Sequence, residues 1–285
     1  MAAYGFNEGS GTTVADVSGQ GNGGTISGAT WTTSGRFGQA LTFNGSSRVI
    51  INDSASLDLT TGMTLEAWVF PTLGGGWRDL IYKEPNDIYF LMSSSDTGSP
   101  ALGGTFASTE VKGTTSLPLN AWTHLAGTYD GSNMRLYTNG VQAASRAQSG
   151  SIQTSTGSLS IGGDALYGQH FAGRIDEVRI YNRALTATEI QTDMNTAVGS
   201  LPFQGAAVAS FSATVRILDV VRGGPVSLRI DGVPGRSYAI ETSTDLNSWT
   251  RVGIVSDPMG ISSFTDARPA TNQALYYRVL ENAAP

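Results

Sequence analysis

Along most of its length the chain alternates apolar and polar residues with a period of two, in short runs broken by glycine, serine and asparagine. That period belongs to strands whose two faces see different surroundings. In "MTLEAWVF" (63–70), Met63, Leu65, Ala67 and Val69 fall on one face and Glu66, Trp68 and Phe70 on the other. "AWTHLAGTYD" (121–130) is apolar on both faces, as a central strand of a sandwich would be. "NMRLYTNGVQAA" (133–144) sets Asn139-Gly140 between two strands, the strongest short-range signal for a hairpin. Further strands are predicted at 40–52, 79–92, 101–108, 158–162 and 171–181.

One helix stands out, "LTATEIQTDM" (185–194). Thr186 is placed as its N-cap with Glu189 three residues on, a capping box, and Leu185 and Ile190 sit where a hydrophobic staple falls. Many short strands and one late helix predict an all-β, antiparallel β-sandwich jelly roll over residues 1–198. Small residues, a proline and glycines over 199–210 predict a linker. Alternation then returns in "VSLRI" (226–230), "RSYAIETS" (236–243), "WTRVGIV" (249–255) and "LYYRVLE" (275–281). These predict a second, smaller β-sandwich over 211–285, of the immunoglobulin or fibronectin kind.

Composition narrows the function classes. At 285 residues there is length for two cores, and only 14% of residues are charged, so the surface is built from Ser, Thr, Asn, Gln and Gly. The net charge of −6 leaves no basic face for nucleic acid or for anionic membranes. With no cysteine, stability comes from packing, helped by a metal if one is held. No apolar run reaches the ~20 residues that cross a bilayer. "MAAYGFNEGSG" has neither the basic nor the apolar region of an export signal.

The loop "ADVSGQGNGG" (15–24) raises its own question, because it gathers four glycines around Asp16, Ser18 and Asn22. Calcium takes six to eight oxygens, from carboxylates, amides, backbone carbonyls and water. A glycine-rich loop can turn carbonyls inward, so a calcium loop is one reading. Simple Asx and Ser turns with glycines at positive φ are the other.

Several segments together resemble the laminin-G-like jelly roll of the concanavalin A-like lectin/glucanase superfamily in its bacterial multi-domain form. They are the N-terminal "YGFNEGSGTTVADVSGQGNGG", "GQALTFNG" (38–45), "LEAWVF" (65–70), "AWTHLAGTYDGSNMRLYTNG" (121–140) and "FAGRIDEVRIYNRALTATEI" (171–190). The segment 205–285 is similar to small sandwich domains that end secreted bacterial proteins. The first resemblance implies two curved antiparallel sheets, often a structural calcium ion and often glycan binding. It adds Asp176 of "RIDEV" to the calcium set of Asp16, Ser18 and Asn22, with Glu8 a weaker candidate. It also implies a secreted bacterial protein, whose export signal would lie outside this sequence.

Hydrolases of that superfamily carry carboxylates at alternate positions of one strand, with retaining chemistry needing them ~5–5.5 Å apart. Here Glu66 stands alone, and Asp176-Glu177 are adjacent and so face opposite ways. His124 lies in an apolar strand and is expected in the core with its hydrogen bonds satisfied; His170 is on a loop with no nucleophile at motif spacing. Sugar binding uses aromatic faces with a few convergent polar groups. Two loops offer both: 74–89 with Trp77, Arg78 and Tyr89, and 163–173 with Tyr167, Gln169 and His170. Trp68, Trp122 and Phe171 are expected in the core, Trp31 and Trp249 at its margin. The expected function is a non-catalytic carbohydrate-binding module. A glycoside hydrolase or lyase on the same scaffold and a protein-binding adhesion or spacer module are the alternatives.

Overall fold

The computed structural model describes residues 1–199, 214–220, 225–231, 236–244, 248–257, 261–267 and 276–281. The chain divides into two compact units, Met1–Ala206 and Ala207–Pro285. The linker expected over 199–210 lies, apart from Gly199, outside the described residues.

The first unit is built from the strands β1 (Ala2–Tyr4), β2 (Thr13–Val14), β3 (Gly24–Ser27), β4 (Thr30–Thr32), β5 (Ala40–Asn44), β6 (Arg48–Ile51), β7 (Met63–Pro71) and β8 (Arg78–Lys83). They are followed by β9 (Tyr89–Ser94), β10 (Ala101–Gly104), β11 (Val111–Lys112), β12 (Thr123–Tyr129), β13 (Asn133–Thr138), β14 (Val141–Ala147), β15 (Leu159–Ile161) and β16 (Ala172–Tyr181), and by the helix α1 (Ala187–Met194). One antiparallel sheet runs β14-β13-β12-β7-β16-β5-β4, with β1 also paired to β16; the other runs β11-β10-β9-β8-β15-β6-β3-β2. The predicted inward face of β7 is the real one: Met63, Leu65, Ala67 and Val69 all join the main core. The hairpin turn is as expected, with Asn139 and Gly140 both left-handed at φ 50° and 74°, the pair a type I′ turn requires.

Helix α1 starts where its cap predicts. The Glu189 backbone N–H donates to Thr186 Oγ1 at 3.3 Å, and the Thr186 N–H donates back to Glu189 Oε2 at 2.8 Å. Leu185 and Ile190 are buried together with Ala126, Tyr137 and Tyr181 in a small apolar cluster. A polar cluster is also shut away on the outward side of β7: Glu66, His124 and Trp68, whose Nε1 donates to the Met194 carbonyl at 3.0 Å. His124 is fully buried, but neither ring nitrogen has a hydrogen-bond partner, which corrects the expectation of a satisfied core histidine. Burial lowers its pKa to about 3 and raises that of Glu66, so the imidazole is neutral and the 3.8 Å approach of the two is not an ion pair.

Trp122 is a second correction. It is half-buried, set edge-on to Phe70 with ring centroids 5.7 Å apart, and the Arg174 guanidinium lies 3.7 Å from the Phe70 ring centre.

In the second unit β17 (Thr214–Val220), β18 (Val226–Asp231) and β21 (Ile261–Asp266) form one three-stranded antiparallel sheet in the order β17-β18-β21. A second sheet, β20-β19-β22, comprises β19 (Arg236–Ser243), β20 (Thr250–Asp257) and β22 (Tyr276–Glu281). Leu228, Ile230, Tyr238 and Ile240, contributed by both sheets, share one core.

Candidate functional site

The candidate site is a cleft of about 330 Å³ on the outer side of the second sheet. Its floor follows from the register of β9. Tyr89 and Leu91 point into the main core, so Phe90 and Met92 face the other way and join Tyr82, Ala101 and the half-buried Trp77 in a separate apolar cluster. Opposite Phe90 on β10 stands Gly103, where a Cβ would come within 2.6 Å of the Phe90 ring and 3.0 Å of Glu110 Cβ. The missing side chain lets the Phe90 ring pack directly against β10. Trp77 and Tyr167 are the other rings of the cleft, and Tyr167 is 51% exposed.

The polar wall comes from two loops. Asn86 and Asp87 are both left-handed, at φ 56° and 58°, a conformation uncommon for non-glycine residues. The Asp87 N–H donates to Tyr82 Oη at 2.9 Å, and the Thr105 N–H to the Asp87 carbonyl at 2.8 Å, which fixes the turn. Across the cleft stands Glu110, with Lys112 Nζ 2.9 Å from its carboxylate and 5.2 Å from the centre of the Trp77 ring.

The Tyr167 loop is wrapped around a buried carboxylate. Asp164 accepts from the backbone N–H groups of Tyr167, of Gly168 at 3.1 Å and of Gln169 at 2.6 Å. Beneath it Asp79 is fully buried, and no donor reaches either of its oxygens. Burial first, and then the neighbouring Asp164 carboxylate, raise the Asp79 pKa well above the usual range, so Asp79 is a neutral acid that donates to Asp164. Burial opposes ionisation of Asp164 too, but the N–H groups of Tyr167 and Gln169 outweigh it and hold that group ionised. The loop is therefore closed on a carboxyl–carboxylate pair.

Of the residues expected at a ligand site, Trp77, Tyr167 and Gln169 line one cleft. Arg78 does not: its Nε donates to the Gly75 carbonyl and its Nη1 to the His170 carbonyl, both at 3.0 Å. His170 is half-buried outside the cleft lining, with a buried Nδ1 that finds no partner. Tyr89 is removed from the surface altogether; it is fully buried and donates to the Leu57 carbonyl at 2.9 Å. Asn86 and Asp87 fall within the 74–89 loop expected to meet a ligand, although neither was singled out for binding; Phe90 and Glu110 were not anticipated. The one trace of Phe90 in the sequence is "YFLM" (89–92), a run apolar on both faces.

Asp16, Ser18 and Asn22 do meet, but as a hydrogen-bonded staple. Asp16 accepts from four donors: the Ala3 and Ser18 N–H groups on Oδ1, and Ser18 Oγ and the Asn22 N–H on Oδ2, all at 2.8–2.9 Å. A carboxylate has about four lone-pair positions, so these saturate it. Asn22 is buried, its side chain donating to the Met1 carbonyl at 2.6 Å and accepting from Ser54 Oγ at 2.6 Å. Asp176, fully buried, serves a different loop and accepts from the N–H groups of Arg36, Phe37 and Glu177 at 2.7, 3.0 and 2.9 Å. Burial lifts its pKa to about 7 against the pull of those donors. N–H and O–H groups converge on these carboxylates where a cation would have to sit, so the set does not fit calcium. Among the described residues no group of three or more His, Cys, Asp or Glu is arranged to hold a metal ion.

Residues 43–191, more than half of the chain, match the model of a laminin-G family of the concanavalin A-like lectin/glucanases superfamily. The chain belongs to that family. It is similar to domain 4 of AbnA, an extracellular arabinanase of Geobacillus stearothermophilus solved with arabinotriose. The identity there is 23% with a TM-score of 0.55, over 68% of this chain and 97% of that one. The binding domain of Paraclostridial Mosquitocidal Protein 1 matches at 17% identity and a TM-score of 0.58, over 81% of this chain and 63% of that one. The sialidase of Trypanosoma rangeli, solved with 2,3-difluoro-KDN, matches at 18% identity and a TM-score of 0.51, over 68% of this chain and 32% of the enzyme. At these identities the likeness is one of fold. Among curated proteins, mouse (Mus musculus) pappalysin-1 is 42% identical over 80 residues, 26% of this chain; the match spans only 5% of that relative's length.

Proposed function

We propose that the first unit binds a glycan in the cleft between Trp77 and Tyr167, without cleaving it. The observation that carries this reading is the pairing of two partly exposed rings with convergent acceptors in a preformed cavity. Ring faces suit the C–H patches of a sugar, and planar polar groups suit its hydroxyls. Gln169 lines the cleft beside these groups. The arabinotriose bound by a relative of the same fold supports a saccharide ligand. A secreted, extracellular setting fits the low charge content. Calcium has no part in this proposal, because Asp16 and Asp176 are already occupied by donors.

The test is titration calorimetry with arabinotriose and a panel of plant and bacterial oligosaccharides, on the native protein and on Trp77→Ala. Binding weakened at least about tenfold by the substitution is expected, the scale of one lost aromatic stacking contact. Binding untouched by Trp77→Ala would place the ligand elsewhere.

One observation favours a second reading. The carboxylates of Asp87 and Glu110 both line the cleft, and burial followed by the charges of Asp164 and Glu110 raises the pKa of Asp87, as a general acid requires. Release of reducing ends from a bound oligosaccharide, lost in Asp87→Asn, would establish hydrolysis in place of simple binding.

A further inference from the structure

The charge of the cleft goes further than the presence of rings. None of the side chains lining it is Lys, Arg or His, and its ionisable groups are the carboxylates of Asp87 and Glu110. The nearest cation, Lys112, is not part of the lining and is itself held by Asp96 at 2.6 Å and Glu110 at 2.9 Å. Behind the wall lie Asp164 and Glu84, the latter accepting from the Ala165 N–H at 2.9 Å. Arg78, which could have supplied a positive charge, is turned toward the His170 and Gly75 carbonyls. Three aromatic rings (Trp77, Phe90 and Tyr167) with two carboxylates are the complement of a cation that donates hydrogen bonds. An ammonium group is attracted both by ring faces and by carboxylates.

We infer that the cleft takes a saccharide bearing a protonated amino group, such as a de-N-acetylated amino sugar, and discriminates against acidic sugars. This rests on the glycan-binding reading above and sharpens it. The ammonium is recognised by Asp87, Glu110 and the ring faces, while the sugar ring stacks on Trp77. A sialic or uronic carboxylate in the same place would face two carboxylates, with the adjacent cation, Lys112, already shared between Asp96 and Glu110.

The experiment compares three probes of similar length by titration calorimetry: a glucosamine oligomer, its fully N-acetylated counterpart and an oligogalacturonate. The glucosamine oligomer is expected to bind about tenfold or more tightly than the N-acetylated one, and the oligogalacturonate weakest of all. That preference should shrink several-fold between low and near-molar salt, as for any partly exposed charge pairing. It should fall close to unity in the double variant Asp87→Asn/Glu110→Gln, with an unchanged far-UV spectrum and melting transition confirming that the variant is folded. Equal or tighter binding of the N-acetylated or acidic probe overturns the inference, as does a preference that survives the double substitution. Trp77-dependent binding of neutral sugars without any preference for the amine would sink this inference alone. Failure of the whole glycan panel, arabinotriose included, would sink the glycan reading with it.

Discussion

At the scale of single residues, the most consequential group is one that contacts no ligand. Asp79 is a buried acid kept neutral beneath the loop that carries Tyr167 and Gln169. A group whose folded pKa lies above its unfolded value of roughly 3.9 stabilises the fold most at low pH. That contribution is lost as the pH rises from the unfolded pKa up to the folded one, at roughly 1.4 kcal/mol per pH unit. Asp79→Asn keeps a donor toward Asp164 and removes the titration. Its melting temperature is therefore expected to exceed that of the native protein at pH 8, with the gap closing toward pH 4. Thermal melts across that range decide the matter, and a pH-independent gap would refute it. Gly103 is the second such residue. A methyl group there has no room against Phe90 and Glu110, so Gly103→Ala is expected to cost about 1–3 kcal/mol of stability and to weaken ligand binding through a disturbed cleft floor. Denaturant unfolding and calorimetry on one variant read both effects.

Among the elements, those determined by neighbours in sequence were legible in advance. The Asn139-Gly140 turn is dictated by two left-handed residues, and the start of α1 by a reciprocal pair of hydrogen bonds between Thr186 and Glu189. Such devices act over a few residues, so their spacing survives in the sequence. Thr186→Ala is expected to cost about 1 kcal/mol by chemical denaturation, because two hydrogen bonds of the cap are lost with the hydroxyl while the packing of Leu185 and Ile190 is kept. An effect above about 3 kcal/mol would mean the cap also organises the polar cluster around Glu66. The cleft was far less legible. Its parts come from Trp77, from the turn at 86–87, from β9 and β10, from Glu110 and from the 164–169 loop, so no window of sequence contains it. Tyr89 and Phe90 show the limit clearly, since a one-residue change of register exchanges which ring is in the core and which is at the ligand. Asp16 and Asp176 show another. Their loops looked like cation ligands because donors and acceptors use the same residue types, and only the direction of each N–H separates the two uses.

Taken as a whole, the first unit is tied together in part by the hydrogen bonds those carboxylates accept. Added calcium or a chelator is expected to move the melting temperature by no more than about 1 °C, whereas Asp16→Ala, which strands four donors, is expected to cost about 2–4 kcal/mol. A calcium-dependent rise of several degrees in scanning calorimetry would reinstate the ion. The topology has a further consequence. The strand β16, residues Ala172–Tyr181, lies between β7 and β5 and also pairs with β1, so it joins the early strands of the first sheet to the later ones. During synthesis the sheet is thus missing its keystone until nearly the whole unit has left the ribosome, and until then β5 and β7 each keep one unpaired edge. The vulnerable interval of the nascent chain ends only when "GRIDEVRIY" slots into the gap.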